Sequence, residues 1–140
     1  MNRRANSKSA VLAATDASAA PPESAAAGPD GQVAFTIIAH VKPGHEAELL
    51  DLVTPVLDAM RHEKTFINAV LHRDPEDPTR FMLYETWSDL DDVVEVQIHR
   101  AYRKAFLERL PEILREDRAI TIWQPIRADF TFFGPGTTPG

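Results

Sequence analysis

The chain is 140 residues long, 44% hydrophobic and 26% charged, enough for one domain with a packed core. It holds no apolar stretch of about 18 residues, so a helical membrane span is excluded, and it has no cysteine, which removes disulfides, thiolate catalysis and Cys-ligated metals. A formal net charge of −6 without a dense Lys/Arg stripe argues against a nucleic-acid partner, and the missing cysteines suit a reducing, cytoplasmic setting.

Residues 1–31 are rich in Ala, Ser and Pro, with Pro21-Pro22 and Ala25-Ala26-Ala27. Ordering them would cost chain entropy and bury almost nothing, so this segment is expected to be a disordered tail. An export signal is the competing reading, because Arg3-Arg4 precede a short apolar run, but Asp16 ends that run early. The expected domain covers 32–128. Residues 129–140 form a second tail, whose Phe130, Phe132 and Phe133 are expected to dock on the domain or on a partner subunit.

Val33 to Val41 alternates as a strand and ends at Pro43-Gly44. Leu49, Leu50, Val53, Val56, Leu57 and Met60 then form one apolar stripe, predicting a helix over 45–62 with a kink at Pro55. Thr65 to Arg73 reads as a second strand, the Asp74–Pro78 segment as a turn, and Arg80 to Trp87 as a third strand closing a hairpin. Ser88-Asp89 resembles a helix N-cap followed by Asp91 and Asp92. A helical region, broken near Arg100, is expected to run to Leu114, and Ala119 to Ile126 is a fourth strand.

The order βαββαβ predicts an α+β, ferredoxin-like antiparallel sheet with both helices on one face. Its other face would carry apolar side chains such as Ile38, more than a soluble monomer normally exposes. A homodimer packed sheet against sheet follows as an expectation.

Several side chains are candidates for chemistry. His40 ends the first strand and His99 lies beside Arg100 and Tyr102; either has the residue type for a catalytic acid or base. Trp87 can stack on a planar ring, and Asn68 and Tyr102 can hold a substrate oxygen. Glu85 is a charge in an otherwise apolar strand and needs a partner, with Arg80, Arg100 or Arg103 available, or else a proton. His45, His62 and His72 read as surface residues. The acid-rich run from Asp74 to Glu95 reads as a solvated face. No spacing matches a metal site, a phosphate loop or a Gly-x-Ser-x-Gly elbow.

The segments Val41-Lys42-Pro43-Gly44, His72 to Phe81, and above all Phe81-Met82-Leu83-Tyr84-Glu85-Thr86-Trp87 resemble the antibiotic biosynthesis monooxygenase superfamily, in its quinol-monooxygenase-like branch. The resemblance runs from about Val33 to Ile126. It implies a dimeric α/β barrel and a cofactor-independent monooxygenase that uses O₂ on a small planar phenolic or quinol-like substrate. His99 or His40 would handle the proton, and Trp87, Asn68, Tyr102 and Glu85 would line the substrate site. The chain departs from the pattern in one respect: positions where many members carry a His and a Pro-His pair fall on Val96 and on Arg100-Ala101. The haem-degrading branch usually has an asparagine on the first strand, and Val33 to Val41 has none. A non-catalytic ligand-binding or interaction dimer, and an isomerase on the same fold, remain as alternatives.

Overall fold

The computed structural model describes residues 31–131. The elements are β1 (Val33–His40), α1 (Glu46–Met60), β2 (Phe66–Asp74), β3 (Asp77–Trp87), α2 (Leu90–Glu95), two 3₁₀ turns (Gln97–His99 and Ala101–Arg103), α3 (Lys104–Ile113) and β4 (Ala119–Trp123). The strands form one antiparallel sheet in the order β2-β3-β1-β4. This is the ferredoxin-like arrangement expected from the sequence.

Strand periodicity divides the sheet into two chemically distinct faces. Toward the helices, Ala69, Glu85, Phe35 and Ile122 stand in one cross-strand row, and Leu71, Leu83, Ile37 and Ile120 in the next. On the other face the rows are Asn68, Thr86, Ala34 and Trp123, then Val70, Tyr84, Thr36 and Thr121, then His72, Met82, Ile38 and Ala119.

The helices cover the first face only. Leu49, Val53, Val56 and Met60 of α1, and Phe106, Leu110 and Ile113 of α3, join Val33, Phe35, Phe81 and Trp87 in one core. Lys42-Pro43-Gly44-His45 is a tight turn closed by His45 N–H donating to the Lys42 carbonyl at 3.1 Å. Gly44 sits at φ +92°, the left-handed position that the third residue of a Pro-Gly turn requires. The Glu48 carboxylate accepts from Arg109 Nε at 2.5 Å and Nη2 at 3.3 Å, tying α1 to α3.

Helix α1 continues through Pro55 as one helix, as the unbroken phase of its apolar stripe predicts, and the proline is exposed. Other local details differ from the sequence reading for physical reasons. Strand β3 starts at Asp77, before the expected Arg80, because the turn shrinks to Pro75-Glu76. Asp74 Oδ1 caps the Glu76 N–H at 2.8 Å, and a register shift at Arg73/Asp74 accommodates Pro78. Strand β4 stops at Trp123, three residues early, ahead of Pro125. The helical break falls at Arg100, whose ψ of 136° is extended. Phe130 is 79% exposed and does not dock on the domain. Residues 1–30, Phe132 and Phe133 lie outside the described residues.

Two predictions follow from this packing. Asp89 Oδ1 accepts from the N–H groups of Asp91 and Asp92 at 3.0 and 3.2 Å. Asp89→Ala should cost about 1 kcal/mol in urea unfolding and Asp89→Asn much less. The Glu48 carboxyl is held down to about 2, first by its Arg109 hydrogen bond and then by His45, from an ordinary value of 4.5. Its contribution is full above the higher value and fades as pH falls toward the lower, so Glu48→Gln should flatten that part of the acid-unfolding curve.

Candidate active site between sheet and helices

Glu85 is the one charged member of the apolar β3 row formed with Phe81, Leu83 and Trp87. Strand parity turns it toward the helices, opposite Phe35, where it is 5% exposed. The indole of Trp87, itself wholly buried, donates from Nε1 to Glu85 Oε1 at 3.0 Å. Trp87 is held edge-on to Phe66, with ring centroids 5.4 Å apart.

Two adjoining cavities meet at this carboxylate. One is lined by Phe35, Ile37, Val93, Ile98, Leu107 and Ile120, and the other by apolar side chains of α1, β2 and β3, including Leu57, Met60, Leu71 and Leu83. Ile37, Glu85, Arg103 and Arg118 are common to both. The shared space is therefore an apolar slot with one carboxylate and two guanidiniums at its junction.

The electrostatics follow from the burial. Desolvation pushes the Glu85 carboxyl above the ordinary carboxylate range, although Arg103, the Trp87 hydrogen bond and Arg118 all pull the other way. Burial likewise brings Arg118 down to about 10, against the favourable field of Glu85. Arg118 lies over the Phe106 ring at 5.8 Å and Arg103 over the Tyr102 ring at 5.6 Å. Arg103 Nε is buried without a hydrogen-bond partner.

Of the residues singled out from sequence, Glu85 lines the slot and Trp87 holds its carboxylate. Of the three arginines considered for Glu85, Arg103 faces it. Arg80 instead pairs with Asp74 at 3.3 Å, and Arg100 with Glu63 at 3.0 Å. Tyr102 flanks the slot through Arg103, but its hydroxyl donates to Glu63 Oε2 at 2.9 Å. Burial and that carboxylate push the phenol up to about 12. Asn68 is on the opposite face, directly across from Thr86. Its Oδ1 and Thr86 Oγ1 are buried without partners.

The two histidines stand apart from the slot. His40 is on the outer face, with Nε2 3.0 Å from Thr79 Oγ1, 3.0 Å from Asp77 Oδ2 and 2.7 Å from Arg115 Nη1. His99 is exposed in a surface hollow with Arg100, Lys104 and Glu108, which shares Ile98 and Leu107 with the slot. Arg118 was not singled out from sequence. Its signal was parity, since it precedes β4 in phase with the inward Ile120 and Ile122. Among the described residues, no group of three or more His, Asp or Glu side chains is arranged to hold a metal ion. None of the described helices is long and apolar enough to cross a membrane.

Comparison with known proteins agrees with this architecture. The profile of a family described as antibiotic biosynthesis monooxygenase matches residues 34–106. A relative from Pestalotiopsis microspora, named "Putative monooxygenase GME11364", is 29% identical over 99 residues, 70% of this chain and 82% of that protein. Among solved structures, PA3566 of Pseudomonas aeruginosa superposes with a TM-score of 0.63 at 20% identity, covering 69% of this chain and 96% of that one. Rv0793 of Mycobacterium tuberculosis does so at 0.64 and 15%, covering 70% and 98%. These structural likenesses speak for the fold, and the profile match for the family. The chain belongs to the antibiotic biosynthesis monooxygenase family, and its general role is of the monooxygenase type.

Proposed function

We propose that the protein is a cofactor-independent monooxygenase that takes a small planar phenol or quinol into the slot between sheet and helices and oxidises it with O₂. The observation that carries this reading is the slot itself. Apolar walls can receive a flat ring and exclude water, while the polar groups converge at one point, where they can meet a ring hydroxyl. For a quinol the products are a hydroxyquinone and water. One oxygen atom enters the ring, and the other leaves carrying two protons. His99, on the far side of Ile98 and Leu107, would relay protons between the slot and solvent.

The active form is proposed to be a homodimer closed through the outer sheet face. Val70 and Trp123 are 47% and 55% exposed there, beside the half-buried Ile38, Met82 and Tyr84. This band is larger than the isolated apolar side chains a monomer ordinarily displays.

Oxygen uptake over a panel of hydroquinones and anthrones, with chelator present and no flavin added, tests the activity. Consumption of one O₂ per oxygenated product is expected. No uptake across the panel, or uptake only after a flavin or metal is supplied, would overturn it. Substrate-proton exchange under anaerobic conditions without oxygen consumption would favour an isomerase instead. Sedimentation equilibrium at micromolar concentration should give twice the chain mass of 15.6 kDa, falling to one chain mass when Val70 and Trp123 are both replaced by Glu. A folded wild-type monomer would sink the dimer.

A further inference from the structure

We propose that Glu85 is the proton acceptor of the reaction, and that Arg103, backed by Arg118, holds the phenolate left when a ring hydroxyl gives its proton to the Glu85 carboxylate. The proposal rests on the oxygenase reading of the slot and names the class of substrate that this site selects: a ring bearing an ionisable hydroxyl.

The first argument is position. Of the residues considered as acids or bases, His40 is across the sheet and His99 is in a separate surface hollow, whereas Glu85 lines both cavities at the point where they join. Its partners come from three elements: Trp87 from the end of β3, Arg103 from the second 3₁₀ turn, and Arg118 from the segment before β4. Trp87 engages Oε1 and so orients the carboxyl group.

The second argument is charge conservation. Proton transfer breaks the substrate O–H bond and makes an O–H bond on Glu85. The negative charge moves from the carboxylate to the phenolate, and the two guanidiniums stay as they were. No new charge is created in a dry cavity, where creating one is costly. A neutral histidine acting as base would instead create an imidazolium and a phenolate together. Arg103 Nε, buried without a partner, supplies an unused donor for the new oxyanion.

The third argument is proton affinity. A phenol near 10 and an ordinary carboxylate near 4.3 differ by about six units, too far for efficient transfer. Burial raises Glu85, and adjacent guanidiniums lower a bound phenol, so both shifts narrow the gap.

A purely structural reading explains less. An ionic cluster inside an apolar core contributes little net stability compared with apolar side chains of similar volume. Glu85→Gln keeps the shape and an oxygen that can accept from Trp87, but it leaves Arg103 and Arg118 without the carboxylate that offsets their charges, so its thermal midpoint should fall below wild type.

The test uses 4-nitrophenol, which is coloured only as its anion, together with the quinol assay. At a pH below the free probe's own pKa, wild type is expected to bind it as the phenolate with no net proton release. The absence of release is read by calorimetry in two buffers of different ionisation enthalpy. Glu85→Gln should bind it as the neutral phenol and lower kcat/KM for quinols by about a hundredfold or more, with rates recovering as the substrate is made more acidic. A neutral probe in wild type, proton release to solvent, no saturable binding up to millimolar probe, or unchanged kcat/KM in Glu85→Gln would each overturn the proposal. If that variant does not fold, the wild-type spectrum and calorimetry still decide. Phenolate binding without oxygen uptake on any quinol would leave the proton step standing and remove only the oxygenase reading.

Discussion

The interaction on which the rest of this structure depends is the burial of one carboxylate in the middle of an apolar sheet face. Glu85 stands opposite Phe35, in the row that also holds Ala69 and Ile122. A carboxylate there without partners would cost several kcal/mol. Trp87, Arg103 and Arg118 are the groups that compensate it. They reach it from the end of the same strand, from the broken helical segment and from the approach to the last strand, so folding of all three regions is coupled to one charge.

The helical region after β3 is not one continuous helix. Arg100 turns extended between two 3₁₀ turns, which places Ile98 and Arg103 together on the slot. A polar network anchors the interruption. Arg100 forks onto Glu63 at 3.0 and 3.1 Å, and Tyr102 donates to the same carboxylate. Gln97 and Thr65 both donate to Asp92 Oδ2, at 3.0 and 2.7 Å. Burial pushes the Glu63 carboxyl up, but hydrogen bonds from Tyr102, Arg100 and Gln97 outweigh it and leave it below its usual range. The break is thus a held geometry, anchored by these side-chain hydrogen bonds.

The alternation of side chains divides the protein's tasks between two surfaces. Odd-numbered positions of β3 from Phe81 to Trp87 face the helices and line the slot or support it. Even-numbered positions, Met82 to Thr86, face away with Asn68, Val70 and Trp123. A one-residue slip in register would exchange these roles wholesale. His40 follows the same rule. As an even position on β1 it belongs to the outer face, where Asp77, Thr79 and Arg115 surround it.

Much of this was legible in the sequence, because it depends on local periodicity. The strands show as alternation from Val33 and from Arg80, and α1 as a stripe from Leu49 to Met60. The cap at Asp89 shows in a residue type strongly preferred at helix N-termini. The anomaly of Glu85 was equally visible, as a charge at an apolar position of a two-residue repeat. What local pattern could not decide was which of the two sheet faces each candidate shared with the others. Asn68, His40 and Glu85 all lie on strands, and only the pairing register and the side to which the helices fold back separate the first two from the third. The meeting of Arg103 and Arg118 was decided by tertiary structure alone. They are fifteen residues apart, on either side of α3, and their convergence depends on how far the chain rotates through the break at Arg100 and on where α3 returns it to β4. Those are properties of packing against the whole sheet, where burying apolar area sets the helix angles and a buried charge selects the arrangement that neutralises it.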